Sequence, residues 1–170
     1  RKRNGGGDGT GGQEEETYSD HFRSIGKGCG AALPETMSCM SWNCRGLGNP
    51  STVRELRKIV KQEGPALLFV METKIRGKRV ENLEKLLGFS GCFAVDSEGL
   101  SGGIGLFWNH EVSVELKNYS RAHIDVTVRR KDQDQTPWRF TGFYAEPRAE
   151  NRFHSWNFLR TLFAVQPDGW

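Results

Sequence analysis

Three polar side chains come directly after apolar or alternating stretches of the sequence: Asn43, Glu72 and Tyr144. Glu72 follows the apolar run 66–71, where a carboxylate is costly unless it is paired or bound to a cation. Mg²⁺ prefers oxygen ligands and often takes one or two carboxylates together with water and phosphate. The Glu72 carboxylate and the Asn43 amide oxygen are therefore candidates for a Mg²⁺ site, with Mn²⁺ as an alternative ion. The Tyr144 hydroxyl is a candidate donor to a phosphate oxygen.

Each of these residues also has a purely structural explanation. Glu72 would then pair with Lys74 or Arg76 at the end of a strand. Asn43 would cap the glycine-rich loop that follows it. Tyr144 would lie at a rim with its hydroxyl in water. The residue patterns alone leave both kinds of explanation open.

The hydrophobic periodicity predicts the elements that position these side chains. A period of two, or a continuous apolar run, predicts strands at 37–43, 66–71, 92–95, 103–108, 112–116, 124–128 and 138–144. A period of 3.6 predicts a helix that is capped by Ser51 or Thr52 and ended by Gly64, and two more helices at 78–87 and 151–163. The order is βαβα, then strands, then a helix. This order is typical of an α/β fold with mixed sheets that are covered by helices.

The apolar positions of the second and third helices predict which side chains face the core. In the second helix they are Val80, Leu83, Leu86 and Leu87. In the third helix they are Phe153, Trp156, Leu159, Leu162 and Phe163. The rings of Trp138, Trp156 and Phe158 are expected in the core rather than as platforms for nucleic-acid bases.

The composition argues against several classes of protein. The chain has 170 residues and a net charge of +3, and no apolar run reaches the ~20 residues needed to span a bilayer. No apolar segment follows the basic start, which argues against a secretory signal. The four cysteines and four histidines lack the spacing of a zinc site or a disulfide scaffold. An intracellular protein with reduced thiols and no membrane partner is therefore expected.

Residues 1–36 are predicted to be a disordered, glycine-rich tail, and residues 37–170 the folded part of the chain. The tail contains nine of the 21 glycines. It has too few apolar side chains to offset the entropy that is lost on ordering. Because the chain does not begin with methionine, we expect it to be a fragment of a longer protein.

Five basic residues near the predicted site are candidates for contact with nucleic acid: Arg45, Lys74, Arg76, Lys78 and Arg79. The excess positive charge lies entirely after residue 37. Phosphate contacts from such residues make binding dependent on salt. Four other basic residues recur at helical spacing and are expected on a solvated helix face, namely Arg54, Arg57, Lys58 and Lys61.

Four short motifs occur in order along the chain: S-W-N-C-R-G-L-G at 41–48, M-E-T-K at 71–74, S-G-G-I-G-L-F-W at 101–108 and G-F-Y-A-E-P at 142–147. Together they resemble the endonuclease/exonuclease/phosphatase superfamily. Within it, the sequence is most similar to the N-terminal apurinic-type endonuclease domain of plant LINE-type (non-LTR) retrotransposon proteins, which are associated with reverse transcriptase. The resemblance covers about 37–170.

This resemblance implies a four-layer α/β sandwich of the DNase I-like type, in which two mixed sheets pack face to face with helices outside. It implies Mg²⁺-dependent cleavage of phosphodiesters, DNA as the partner of the full-length parent, no small-molecule cofactor, and a location in the nucleus. Asn43 matches the asparagine of the family's first metal-site motif, and Glu72 matches its metal-ligating glutamate. Tyr144 matches a tyrosine that contacts the scissile phosphate. The glycine-rich segment 102–105 matches a motif to which we assign packing rather than chemistry.

The sequence departs from the family after Tyr144. The family has a Gly-Asp-x-Asn motif, which positions the attacking water, and a terminal Ser-Asp-His motif, and neither follows Tyr144 here. We therefore expect a C-terminally truncated, partial sandwich that self-associates through its incomplete core, binds metal weakly and cleaves little or no DNA. Ser19-Asp20-His21 spells the terminal motif, but it lies in the predicted tail and is interpreted as a coincidence.

Two other functions remain open on the sequence. One is a non-catalytic remnant that binds nucleic acid through the basic residues beside Glu72. The other keeps the fold and changes the substrate, since relatives in the superfamily are phosphatases or phosphodiesterases that act on inositol phosphates and sphingomyelin. The motif at 41–48 favours the retroelement branch.

Overall fold

Two β-sheets form the centre of the computed structural model, which describes residues 37–99, 101–132, 136–146 and 149–164. The predicted tail, with its Ser-Asp-His triplet, lies outside these residues. The strands are β1 (Cys39–Asn43), β2 (Leu67–Met71), β3 (Gly91–Val95), β4 (Ile104–Trp108), β5 (Val112–Tyr119), β6 (His123–Arg130) and β7 (Trp138–Phe143). The first sheet has the order β1-β2-β4-β3, and the second has the order β5-β6-β7.

The first sheet mixes parallel and antiparallel pairing, as the sequence predicted. β1 runs parallel to β2, and Asn43 lies opposite Met71 in the register. β4 runs antiparallel to both β2 and β3. Because β1 and β2 end at the same edge of the sheet, Asn43 and the residue after Met71, which is Glu72, are neighbours in space.

β2 is buried on both faces, which is why its sequence is a continuous apolar run. Leu68 and Val70 pack with the helices on one side, while Leu67 and Phe69 pack against the second sheet on the other. None of the four is more than 2% exposed. The described part of the chain therefore has two apolar layers, one between the helices and the first sheet and one between the two sheets.

The helices flank these sheets. They are α1 (Pro50–Glu63), α2 (Gly77–Glu81), α3 (Glu84–Leu87) and α4 (Arg152–Ala164), with a 3₁₀ turn at Ala149–Asn151 before α4. In the described part of the chain, no helix has both the length and the apolar character that a membrane crossing requires.

The cap of α1 differs from the predicted one. The Asn49 Oδ1 accepts a hydrogen bond from the Ser51 N–H at 3.0 Å, so Asn49 is the cap and neither Ser51 nor Thr52 has that role. The prediction is wrong because Pro50 is well suited to the first helical position, where its fixed φ matches the helix and no N–H is needed. Gly64 ends the helix in the left-handed conformation, as predicted.

The predicted helix at 78–87 is two short helices. The Leu83 N–H donates to the Val80 carbonyl at 2.9 Å, and this i to i−3 bond tightens the chain between α2 and α3. The tightened turn rotates the side chains that follow it. Val80 and Leu87 are buried, but Leu86, which was predicted to face the core, is 45% exposed.

α4 lies close to its predicted position, but two of its predicted core residues face solvent. Phe153 is 54% exposed and Trp156 is 63% exposed. The ring of Phe158 instead packs on the rings of His123 and Phe143 in the second sheet. Residues two positions apart on a helix do not share a face, so a helix that turns Phe158 inward turns Trp156 outward.

Replacing Asn49 by alanine is expected to lower the free energy of unfolding by about 1 kcal/mol, because the Ser51 N–H loses its acceptor. Thr52→Ala is the matched control and should lower it by clearly less. Urea denaturation followed by circular dichroism measures both changes. If Thr52→Ala lowered the free energy of unfolding more than Asn49→Ala, Thr52 would be the cap, as the sequence predicted.

Candidate functional site

The structure brings Asn43, Glu72 and Tyr144 into direct contact. The Asn43 Nδ2 donates a hydrogen bond to the Glu72 Oε1 at 2.8 Å, and the Tyr144 hydroxyl donates to the same oxygen at 3.1 Å. Tyr144 lies 72 positions after Glu72 in the chain. The contact is therefore a product of the fold and not of local sequence.

The three residues come from both sheets. Asn43 ends β1 and Glu72 follows β2 in the first sheet, whereas Tyr144 follows β7 in the second. The backbone of Tyr144 is held by its own N–H, which donates to the Ala122 carbonyl in the turn between β5 and β6 at 2.7 Å. The site thus lies where the ends of the two sheets meet.

The loop after β2 has an unusual backbone. Glu72 and Lys74 both have a φ of 54°, in the left-handed region that costs a non-glycine residue roughly 1–2 kcal/mol. Between them, the Thr73 N–H donates to the Gly103 carbonyl at 3.1 Å, and the Lys74 N–H donates to the Gly102 carbonyl at 3.0 Å. These two bonds hold the loop in the conformation that presents the Glu72 carboxylate to the other two site residues.

Gly103 has no room for a side chain. Its φ is 82°, and a Cβ on it would overlap the hydroxyl of the fully buried Thr73. A Cβ on Gly105 would lie only 3.2 Å from the Val70 side chain. The segment 102–105 therefore acts through close packing and through its backbone carbonyls, which is the kind of role assigned to it from the sequence.

The loop after β1 is tied to the same place. The Leu47 N–H donates to the Thr73 carbonyl at 2.8 Å, and the Cys44 N–H donates to the Met71 carbonyl at 2.9 Å. Burial raises the pKa of the Cys44 thiol to about 11. The thiol is therefore protonated at neutral pH, and we assign it to the structure of the loop rather than to chemistry.

Hydrogen bonding lowers the pKa of Glu72. The bond from Asn43 is the largest of the effects that lower the pKa of Glu72 below its usual value; Tyr144 and Lys74 lower it further, while burial opposes them. Burial and the negative charge of Glu72 raise the pKa of Tyr144 above its usual value. At neutral pH, Glu72 is therefore ionised and Tyr144 is a hydrogen-bond donor.

The contacts that the structural explanations require are also present. The Lys74 Nζ lies 3.5 Å from the Glu72 Oε2, and the Asn43 Oδ1 accepts a hydrogen bond from the Arg45 N–H at 3.2 Å. The amide nitrogen of Asn43, and not its oxygen, therefore faces Glu72. In this arrangement Asn43 orients the carboxylate, and a direct role of its oxygen as a metal ligand stays a prediction.

The oxygen donor that this site offers to a metal ion is a single carboxylate. The described residues contain no group of three or more His, Cys, Asp or Glu side chains that could surround an ion. The Glu72 Oε1 already accepts two hydrogen bonds, whereas Oε2 faces the Lys74 ammonium at 3.5 Å. This donor set fits Mg²⁺, which takes few carboxylates and completes its shell with water and phosphate oxygens.

Three of the five predicted contact residues line one cleft. This cleft, which we call the basic cleft, has a volume of about 620 Å³ and is lined by Lys74, Ile75, Arg76, Arg79, Ser97 and Gly99. Arg45 and Lys78 are not among its lining residues, and the Lys78 Nζ lies 3.3 Å from a carboxylate oxygen of Glu81. Of the five basic residues that the sequence grouped together, three therefore share the basic cleft and two lie outside it.

A second cavity, of about 660 Å³, adjoins Tyr144 and was not predicted from the sequence. Its walls come from the loop before β4, the turn between β5 and β6, the end of β7 and the start of α4. No local pattern connects these four segments, because they meet only in the folded chain. Two sequence motifs contribute to its lining, namely S-G-G through Gly102 and Gly103, and G-F-Y-A-E-P through residues 143–146.

The sequence signature of the endonuclease/exonuclease/phosphatase family matches residues 40–169. The chain belongs to this family. The match includes all three site residues and both sheets. Enzymes of the family generally use divalent metal ions, which agrees with the oxygen donor found at Glu72.

Several solved structures are similar to this chain. It is similar to a humanized TDP2 from D. rerio, with 16% identity and a TM-score of 0.57, over 78% of this chain and 60% of that one. It is similar to TDP2 from C. elegans, with 18% identity and a TM-score of 0.52, over 78% of this chain and 45% of that one. AP endonuclease LMAP from Leishmania major gives 15% identity and a TM-score of 0.48, over 62% and 39%.

The likeness to the two TDP2 structures confirms the expected fold class, a mixed α/β architecture of two sheets of the DNase I-like type. The chain spans 60% or less of the length of each of these three structures. A search of curated protein sequences finds no match to the chain.

Asn43→Ala is expected to raise the pKa of Glu72 toward its ordinary value of 4.5, because the bond that lowers it most is lost. A depressed pKa contributes stability that is present above the unfolded value and is lost as the pH falls through the folded value. When the pH falls from neutral to below the unfolded pKa of Glu72, the variant should therefore lose less stability than the parent. Carboxyl ¹³C NMR titration measures the pKa directly, and urea denaturation measures the stability.

Tyr144→Phe serves as the graded comparison for this titration. It removes a weaker contribution to the same pKa, so its shift should be smaller than that of Asn43→Ala. A Glu72 pKa that stays unchanged in Asn43→Ala would contradict the assigned role of Asn43.

Proposed function

We propose that this chain is the Mg²⁺-dependent phosphodiesterase part of a DNA endonuclease, from the N-terminal domain of a plant LINE-type retroelement protein. The observation that carries the proposal is the ionised Glu72 carboxylate, which is held between Asn43 and Tyr144 beside the basic cleft. The four ordered motifs support the retroelement branch. We propose a location in the nucleus as well, because a retroelement endonuclease would meet its DNA substrate there.

Each site residue has a distinct role in the proposed reaction, in which water attacks phosphorus and the bond to the leaving oxygen breaks. Glu72 would hold Mg²⁺, which would supply positive charge near the phosphate and the leaving oxygen. Asn43 keeps the carboxylate oriented through its 2.8 Å bond. The Tyr144 hydroxyl, kept protonated by its raised pKa, would donate a hydrogen bond to a phosphate oxygen. Lys74 adds positive charge at the same place.

We infer that the 170-residue chain cleaves DNA slowly or not at all. Hydrolysis needs a group that takes a proton from the attacking water. Apart from the metal-binding Glu72, the described residues in contact at the site are the donors Asn43, Tyr144 and Lys74.

The proposed organisation is a tail at 1–36 followed by the N-terminal part of the domain at 37–170. Self-association is part of this proposal. Its support is the exposed aromatic surface of α4, where Phe153 and Trp156 lie one turn apart.

Glu72→Gln is expected to weaken Mn²⁺ binding by about tenfold or more, because a neutral amide replaces the anionic ligand. Glu115→Gln is the matched control, since Glu115 is a carboxylate on β5 that pairs with Lys117 instead. Electron paramagnetic resonance measures the free Mn²⁺. In a separate assay, the parent protein with Mg²⁺ should nick supercoiled plasmid no faster than the parent protein with EDTA.

Two outcomes would contradict parts of this proposal separately. Equal Mn²⁺ affinity of the two variants would remove Glu72 as the metal ligand. Nicking that requires both Mg²⁺ and Glu72 would refute the inferred inactivity and support the reaction itself.

A nucleic-acid-binding function without catalysis is the second candidate, and the basic cleft is the observation that favours it. Three cationic side chains line the cleft, and no carboxylate is among its lining residues. Such a surface attracts phosphates whatever their sequence. Both candidates require DNA binding, but only the first requires a metal ion at Glu72.

A variant that combines Arg76→Ala with Arg79→Ala is expected to weaken binding of duplex DNA equally for unrelated sequences. It should also reduce the slope of log affinity against log salt by about 2, since two phosphate contacts are lost. Arg54→Ala with Lys58→Ala, on the exposed face of α1, is the control. Fluorescence anisotropy over a salt series measures the slope, and a parent protein whose binding shows no slope would exclude the cleft as a DNA-binding surface.

A further inference from the structure

The cavity beside Tyr144 differs in charge from the basic cleft. Its lining includes the carboxylates of Asp96, Glu98 and Glu146 and one guanidinium, that of Arg121. The basic cleft is lined by three cations and no carboxylate. Phosphates are therefore attracted to the cleft, while the cavity suits an uncharged group that carries hydrogen-bond donors.

Aromatic rings form part of the wall of this cavity, which we call the aromatic cavity. Phe143 and Phe158 both line it, with ring centroids 5.9 Å apart and planes within 15° of parallel. The ring of Phe158 also packs on that of the buried His123, at 4.7 Å. The volume of about 660 Å³ is within the range of small-ligand sites. The aromatic cavity therefore has the size and the wall that a planar ring requires.

Glu72 lies between the basic cleft and the aromatic cavity. Lys74 lines the cleft and lies 3.5 Å from the Glu72 Oε2. Tyr144 lines the aromatic cavity and donates to the Glu72 Oε1 at 3.1 Å. A phosphate at Glu72 therefore has a cationic surface on one side and an aromatic surface with hydrogen-bond acceptors on the other.

We propose that the aromatic cavity binds the nucleoside, base and sugar together, that is joined to the phosphate held at Glu72. This inference deepens the proposed function and rests on it. The base is uncharged and planar, so it stacks on aromatic rings. Its amino groups and the sugar hydroxyls donate to the carboxylates of the wall. The Glu98–Arg121 ion pair links two segments of that wall.

The test uses dinucleotides in which 2-aminopurine stands on one side of the phosphate and an abasic sugar on the other. The fluorescence of 2-aminopurine falls when the base stacks on an aromatic ring. We expect one of the two arrangements to bind about tenfold more tightly than a dinucleotide with abasic sugars on both sides, and its fluorescence to fall on binding.

Two variants with matched controls locate the base. Ala145 is an exposed residue that lines the aromatic cavity, so Ala145→Trp should fill the cavity and abolish the tenfold gain, while Ala145→Ser should keep it. Phe158→Leu should also lose most of the gain. Phe153→Leu should keep it, because Phe153 is exposed on the same helix and is not among the lining residues.

Equal binding of the three dinucleotides would overturn the proposal, as would a gain that survives both Ala145→Trp and Phe158→Leu. Failure of all three to bind would overturn it as well. The proposed hydrolysis can fail while the nucleoside site is supported. That result would be an Mn²⁺ affinity unchanged by Glu72→Gln, together with a base-dependent gain in affinity that Ala145→Trp removes.

Discussion

The contact between Phe69 and Gly142 is the constraint on which the rest of the site depends. Phe69 lies in the middle of β2 in the first sheet, Gly142 lies near the end of β7 in the second, and a Cβ at Gly142 would overlap the Phe69 ring. Only glycine allows the two sheets to approach this closely. Glu72 comes three residues after Phe69 and Tyr144 two residues after Gly142. The close approach therefore sets the distance over which the Tyr144 hydroxyl reaches the Glu72 carboxylate.

The strained loop after β2 is kept in place by its neighbours. A relaxed backbone at Glu72 and Lys74 would be lower in local energy, but it would break the bonds from the Thr73 and Lys74 N–H groups to the carbonyls of 102–103. For the buried Thr73 amide, the loss of its acceptor costs about as much as the strain itself. The close packing of Thr73 on Gly103 leaves no room for the loop to shift. The position of the carboxylate is therefore determined by packing several residues away from it.

Local signals account for what could be predicted from the sequence. The apolar run of β2 and the charged residue at its end identified a buried strand and an ionised group at the edge of a sheet. The cap of α1 and the exposure of Leu86 were missed, because each depends on a competition between adjacent residues that periodicity does not resolve. The meeting of Tyr144 with Glu72 could not be derived from residue patterns, because it depends on how two sheets pack; the family resemblance pointed to it. The aromatic cavity was not predicted for the same reason, since its four segments meet only in the folded chain.

The segment that follows β3 explains how the basic cleft and the aromatic cavity stay chemically distinct. Asp96 and Glu98 line the aromatic cavity, whereas Ser97 and Gly99 line the basic cleft. Successive side chains of an extended chain point to opposite sides, which separates Ser97 from Asp96 and Glu98, and Gly99 follows in a turn with a φ of 59°. A phosphate in the cleft meets no carboxylate from this wall. A nucleic acid that places its phosphates in the cleft and a nucleoside in the cavity would therefore pass over Glu72, which contacts a lining residue of each.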